Sequence, residues 1–136
     1  MTDGAGDPVP DGLIETWQAD PAGSYRRDGG FDGAGRIPTD DQGCFVVDTV
    51  MPGSVPGPGG RPQAPHLVVG VLARGVLTRL VTRIYFEAEP GNDADPILAL
   101  VPPERRDRLI ARRVAADRFR FDITLQGPGE TVFFDV

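Results

Sequence analysis

The hydrophobic pattern of this chain consists of short apolar or alternating runs separated by clusters of glycine and proline. The runs are rich in β-branched and aromatic residues, which favour strands, and most are shorter than a typical helix. Strands are predicted over residues 13–19, 44–50, 66–72, 78–87, 118–125 and 131–135. The turn residues between them are typical of an all-β domain. The pattern therefore predicts a mainly β fold, an antiparallel β-sandwich or a partly open barrel.

The predicted strand within residues 63–75 is apolar on both faces, which is typical of a central strand. It carries the only histidine, His66, near its start and Arg74 near its end. His66 is either a structural histidine or a metal or acid–base group, and the first reading is favoured because it alternates with Val68 and Gly70. Arg74 either pairs with an acid of its own chain or is held free for the carboxylate of a ligand.

One helix is predicted late in the chain, from Pro103 to Ala115. A proline suits the first turn of a helix, and Leu109, Ile110 and Val114 would form one apolar stripe. The segment around it, residues 104–120, is rich in arginine with acids interspersed. We interpret that charge as a solvated surface with internal ion pairs, because nucleic-acid binding would require interleaved aromatic residues.

Composition limits the remaining function classes. The 136 residues suit one domain, residues 1–136, and the net charge of -6 argues against nucleic-acid binding. The single cysteine, Cys44, excludes an internal disulfide and is predicted to be a small buried hydrophobe. No apolar run approaches the length of a membrane span, and residues 1–12 lack the apolar stretch of a signal peptide, so we expect a soluble cytoplasmic protein.

Several segments, read in order, resemble the intradiol ring-cleaving dioxygenases. They are residues 14–25, 33–36, 39–43, 64–66, 82–86, 120–123 and 126–135. Within that family the ending resembles the alpha subunits of the members that cleave protocatechuate. The resemblance implies an intradiol-dioxygenase-like antiparallel β-sandwich with one late helix. It also implies a part in the cleavage of protocatechuate by O2 to 3-carboxy-cis,cis-muconate, a step of the beta-ketoadipate pathway.

The resemblance implies that this chain has lost the iron site of its family, which holds Fe(III) with two tyrosines and two histidines. Tyr25 and His66 match one ligand of each kind. Val55 and Val68 stand where the other two ligands are expected, and neither has a donor atom. Gln63 stands at the position of an active-site arginine. We therefore expect no metal and no catalytic residue on this chain.

The resemblance also implies a partner. Fe(III) would be held by a beta subunit, packed with this chain in a higher αβ oligomer, and the lone chain would be inactive. Arg74, in the motif Ala73-Arg74-Gly75, would reach the carboxylate of the small aromatic acid substrate.

Two further expectations complete the sequence analysis. The family carries an N-terminal arm and early strands that residues 1–10 do not match, so a truncated start is expected. The alternative to an enzyme subunit is a non-enzymatic, transthyretin-like β-sandwich that acts as a binding module.

Overall fold

Short strands make up most of the regular structure in the computed structural model, which describes residues 1–26 and 30–135. The strands are β1 Leu13–Gln18, β2 Ala34–Pro38, β3 Val55–Pro56, β4 Pro62–Gln63, β5 His66–Leu72, β6 Leu80–Phe86, β7 Ile110–Ala115 and β8 Arg118–Arg120. Four short 3₁₀ helices span Pro58–Gly60, Pro90–Ala94, Leu98–Leu100 and Pro103–Leu109. The prediction of a mainly β fold is confirmed.

Six of the strands form one sheet in the order β2-β1-β5-β6-β7-β8, while β3 and β4 pair separately. The prediction of a central strand at residues 66–72 is confirmed, because β5 is paired on both sides, Leu13 opposite Leu72 and His66 opposite Tyr85. The pairs within the sheet are antiparallel except for β6 and β7, which run parallel. The intervening chain crosses over through 3₁₀ helices and returns in the same direction.

One face of the sheet is the hydrophobic core. Ile14, Val69 and Val71 are fully buried on it, because side chains alternate between the two faces of a strand. Phe45 and Phe133 pack against this cluster from the other side. The second layer of the predicted sandwich is therefore built largely from extended segments outside the main ladder.

Two predicted strands are replaced by such segments. Residues 44–50 and 131–135 have no assigned ladder partner. In the first segment Phe45 and Val47 pack against the core while Val46 is exposed, so the segment alternates like a strand but does not pair. Cys44 precedes them and is exposed, which corrects its predicted burial. Its backbone N–H is fixed instead by the side chain of Asp40, at 2.9 Å.

The late helix is only partly confirmed. It begins at Pro103 as predicted, but it is a 3₁₀ helix that ends at Leu109. The rest of the predicted helix is strand β7, which pairs with β6 through Tyr85 and Ile110. Pairing with a distant strand overrides the helical pattern here, and Val114 of the expected apolar stripe is 56% exposed. Within the described part of the chain, no helix has the length and apolar character needed to cross a membrane.

Candidate functional site

The face of the sheet opposite the core carries some of the residues singled out by the family resemblance, among them Trp17, Val68 and Arg83. We call it the open face and define it by Glu15, Trp17, Val68, Gly70 and Arg83. Glu15 lies opposite Gly70, and Val68 lies between Trp17 and Arg83 in the registers of β1, β5 and β6. The open face is half-buried rather than sealed, so a pattern of alternating side chains on three adjacent strands creates a surface separate from the core.

Tyr25 lies over this face. Its ring stacks on Trp17 with centroids 5.6 Å apart and planes 12° from parallel. The preceding turn is fixed by the side chain of Asp20, which accepts hydrogen bonds from the backbone N–H groups of Ala22 and Ser24, both at 2.9 Å. Burial raises the pKa of the Tyr25 phenol, and the positive charge of Arg83 only partly opposes this shift. The phenol is therefore protonated at neutral pH.

The Tyr25 turn packs directly on the loop that leads to Val55. A Cβ on Gly53 would lie 2.5 Å from the carbonyl oxygen of Pro21 and 2.6 Å from the nitrogen of Gly23. Only glycine allows main chain to approach main chain so closely. Val55 follows in β3, where it is buried and pairs with Gln63 of β4. Glycine packing thus brings the Tyr25 turn and the Val55 loop together.

His66 is a satisfied structural histidine. It is only 4% exposed, and its Nδ1 lies 2.7 Å from the carbonyl oxygen of Ala64. A carbonyl can only accept, so Nδ1 carries the proton. Burial lowers the pKa of His66, the Ala64 carbonyl opposes that shift, and the positive charge of Arg83 reinforces it. The neutral ring therefore occupies this position at neutral pH.

A buried polar network lies beside His66, and the sequence analysis missed it. Arg83 donates from Nη1 to Oε1 of Gln63 at 2.7 Å and to the hydroxyl of Tyr85 at 3.3 Å. The Tyr85 hydroxyl donates to Oδ1 of Asp95 at 3.1 Å. The other oxygen of Asp95 accepts from the backbone N–H of Ala64 at 2.7 Å. Burial raises the pKa of Tyr85, so its hydroxyl stays protonated and remains a donor.

Asp95 had one readable sequence signal, the proline that follows it, because an aspartate before a proline is typical of a turn. Its Oδ1 accepts from the backbone N–H groups of Ile97 and Leu98 at 2.9 and 2.8 Å, a turn that leads into the 3₁₀ helix Leu98–Leu100. Nothing local could have predicted its contacts with Tyr85 and Ala64.

The residues at the expected ligand positions do not fit Fe(III). Val55 and Val68 have no donor atom, and Oε1 of Gln63 accepts from Arg83. Among the residues that the structure describes, no group of three or more His, Cys, Asp or Glu could hold a metal ion.

Arg74 lies far from this cluster. It follows the end of β5, whose first and last residues are about 20 Å apart at the usual rise per residue of a strand. Its side chain is 84% exposed, and Nη2 lies 2.8 Å from Oδ2 of Asp11. Of the two readings of Arg74, the structure shows the first, an ion pair with an acidic residue of the same chain. The structure does not bring Arg74 and His66 together.

A group of ion pairs lies on the open face itself, around Glu15. Glu15 accepts from Arg79 at 3.0 Å and lies 3.5 Å from Arg36. The guanidinium of Arg79 covers Gly70 so closely that a Cβ there would collide with it. The absence of a side chain at Gly70 therefore allows this ion pair to lie flat on the sheet.

Comparisons with known proteins agree with these motifs. A family model described as Dioxygenase matches residues 1–127. The protocatechuate 3,4-dioxygenase alpha chain of Burkholderia cepacia is 46% identical over 147 residues, covering 98% of this chain and 73% of that protein. The beta chain from the same organism is 36% identical over 148 residues, covering 100% of this chain and 60% of that protein.

The fold agrees as well. The crystal structure of catechol 1,2-dioxygenase from Pseudomonas arvilla C-1 matches with a TM-score of 0.69 at 22% identity. The match covers 96% of this chain and 52% of that one, so the chain spans about half of that solved structure. The expected intradiol-dioxygenase-like β fold is confirmed. With a family model over most of its length and an alpha chain at 46% identity, this chain belongs to the intradiol dioxygenase family.

Proposed function

We propose that this chain is the iron-free alpha subunit of a protocatechuate 3,4-dioxygenase and works only with a beta subunit that holds Fe(III). One combination carries the proposal. The chain is 46% identical to an alpha chain of that enzyme, while Val55 and Val68 supply no donor atom at two of the four ligand positions that the family resemblance implies. A valine side chain cannot bind iron even weakly, because it has no lone pair to donate.

The reaction proposed for the complex is the intradiol cleavage of protocatechuate by O2. The ring opens between the two hydroxylated carbons and yields 3-carboxy-cis,cis-muconate. We assign no chemical step to this chain, because its residues do not fit the metal. Its contribution is to complete the substrate pocket and to support the partner, in a higher αβ oligomer. The single cysteine is compatible with a reducing compartment, the cytoplasm, as the place of assembly.

Arg74 is the residue proposed to bind substrate. Its guanidinium extends from the loop between β5 and β6, and its hydrogen bond to Asp11 uses Nη2 alone. A planar guanidinium carries five N–H donors, so several remain for the carboxylate of an aromatic acid. Protocatechuate has that carboxylate and plain catechol does not. A buried arginine–carboxylate pair would therefore discriminate between the two substrates.

Separate and joint purification tests the proposal. The chain is expressed alone and together with a beta chain of the same enzyme, and both preparations are assayed for iron, for Fe(III)–tyrosinate absorbance and for O2 uptake with protocatechuate. We expect the lone chain to be colourless and inactive and the complex to hold iron and turn over. Fe(III)–tyrosinate absorbance from the lone chain would contradict the proposal, as would failure of the two chains to co-purify.

The transthyretin-like binding module is the weaker reading. The match to the Dioxygenase family model and the similarity to both the alpha and the beta chains support an enzyme subunit instead. No feature of the open face favours an independent binding role.

A further inference from the structure

The contact between Asp11 and Arg74 follows from the strand register. Leu13 of β1 lies opposite Leu72 of β5. Two residues beyond this pair on each strand, the chain reaches Asp11 and Arg74. Their side chains meet with 2.8 Å between Oδ2 and Nη2. The register of the sheet therefore brings the turn that carries Asp11 next to the turn that carries Arg74.

Asp11 is held in an unusual backbone conformation. Its φ is 61°, and Ala88 is the only other non-glycine residue with positive φ in the described part of the chain. A residue keeps such a conformation when its surroundings determine it strongly. Here Thr39 does so: its hydroxyl accepts from the N–H of Gly12 and donates to the carbonyl of Val9, both at 2.8 Å. The backbone N–H of Thr39 also donates to the carbonyl of Gly12 at 2.9 Å.

The backbone of Asp11 is held in place, so its carboxylate can restrict the orientation of the flexible Arg74 side chain. Arginine loses much rotamer freedom when it must present its guanidinium in one orientation. An exposed ion pair contributes little free energy in water. The same pair is screened much less when a partner chain covers it. Asp11 engages one terminal nitrogen of Arg74 and leaves the remaining donors unused.

We infer that Asp11 is a positioning residue for substrate binding. It holds the guanidinium of Arg74 by Nη2, so that the remaining N–H donors are presented to the substrate's carboxylate in the assembled enzyme. This inference rests on the proposed role of Arg74 as the ligand of that carboxylate. It adds that an acid two residues before β1 acts through this arginine, which no sequence motif indicated.

The test uses steady-state kinetics of the αβ complex with Asp11→Gly and Asp11→Asn. Glycine and asparagine both accept positive φ, so neither change strains the turn. We expect Asp11→Gly to raise KM for protocatechuate about 3- to 10-fold, the size of one ordinary hydrogen bond, because Asp11 acts on substrate only through Arg74, with little change in kcat. Asparagine retains an acceptor oxygen, so Asp11→Asn should have a smaller effect. Asp41→Ala is the charge-matched control, because Asp41 is exposed and makes no hydrogen bond or ion pair with the described residues.

Two further measurements separate positioning from a general structural role. In an Arg74→Ala background, Asp11→Gly should leave KM unchanged. The inhibition constant of a catechol without a carboxylate should not respond to Asp11→Gly at all. A structural defect would weaken both ligands equally and so overturn the inference.

The remaining outcomes distinguish this inference from the proposed function. If Arg74→Ala raises KM but Asp11→Gly leaves it unchanged or lowers it, Asp11 does not position the arginine, and the role of Arg74 stands. If Arg74→Ala itself leaves KM unchanged, the proposed role of Arg74 fails, and the positioning role of Asp11 fails with it.

Discussion

The buried carboxylate of Asp95 accepts a hydrogen bond from the hydroxyl of Tyr85 over 3.1 Å, beside the position of His66 in strand β5. Asp95 is fully buried and also accepts from three backbone N–H groups, those of Ala64, Ile97 and Leu98. It therefore joins β6, the segment before β5 and a 3₁₀ helix at one point.

This arrangement predicts unequal losses of stability at the two ends of the hydrogen bond. Asp95→Ala leaves several buried donors without an acceptor and should lower the free energy of unfolding by about 3–5 kcal/mol. Tyr85→Phe removes one hydroxyl, while Asp95 keeps its backbone donors, so the loss should be about 1–2 kcal/mol. Urea denaturation of the purified protein measures both. Equal losses would show that Asp95 matters only through Tyr85.

The lowered pKa of His66 predicts a pH dependence of stability. Its unfolded pKa is near 6.5, so the unfolded chain binds the proton at a higher pH than the folded chain does. The stability contribution is therefore complete above pH 6.5 and is lost as pH falls from there through the lowered folded pKa. His66→Asn retains an N–H donor but cannot titrate. Urea denaturation between pH 5.5 and 7.5 should give a slope for the native chain and a flatter line for the variant, since His66 is the only histidine.

The fold should not tolerate even the methyl side chain of alanine at position 53, where Gly53 now lies. A Cβ would meet the carbonyl oxygen of Pro21 at 2.5 Å, and a backbone group cannot rotate away as a side chain can. Gly53→Ala should lower the free energy of unfolding by about 1–3 kcal/mol. Gly129→Ala is the control, because nothing lies within 4 Å of a Cβ there. If the two changes had the same effect, the packing of the Tyr25 turn on the Val55 loop would not be close in solution.

Gly70 offers a prediction in which the sign changes with the background. Gly70→Ala displaces the guanidinium of Arg79 from Glu15 and should cost about 0.5–1 kcal/mol of stability. In an Arg79→Ala background the same change should be neutral or stabilising, because glycine is unfavourable in a strand. A double-mutant cycle by thermal unfolding measures the difference. Additive effects would mean that Arg79 does not lie over Gly70.

Arg74 provides the prediction on activity. In the αβ complex, Arg74→Ala should raise KM for protocatechuate by the equivalent of about 2–3 kcal/mol if the ion pair with substrate is desolvated. Arg118→Ala removes an exposed arginine without a hydrogen bond or ion pair to the described residues, so it is the matched control for charge. An effect of equal size from both variants would point to a general electrostatic attraction of the anionic substrate.

The sequence predicted the parts of the fold that depend on local pattern. Strand β5 could be predicted because the run from Leu67 to Leu72 contains no polar side chain on either face. The nature of residues 110–115 was not readable, since it depends on parallel pairing of Ile110 with Tyr85, which is 25 positions away by their numbers. For residues 44–50 an extended segment was predicted, but neither the inward direction of Phe45 nor the absence of a ladder partner was.

The site was predictable to the same extent. Tyr25, His66 and the valines were found through motif positions, and the stacking of Tyr25 on Trp17 brings the first of these onto the open face. The role of Asp95 was not predicted, because its partners Ala64 and Tyr85 lie 31 and 10 residues away and a single aspartate gives no sequence signal of such contacts. The identity of the acid that pairs with Arg74 was missed for the same reason, since Asp11 is 63 positions away.

The glycine-mediated approach of the Tyr25 turn to the loop before Val55 has an evolutionary consequence. Main chain sets that spacing, so side chains on the loop can be exchanged without remodelling its path. In a duplicated subunit, donor atoms can therefore disappear one substitution at a time while the surface offered to the partner keeps its contour. A heteromeric enzyme can in this way concentrate its chemistry in one copy and leave the other to shape the pocket.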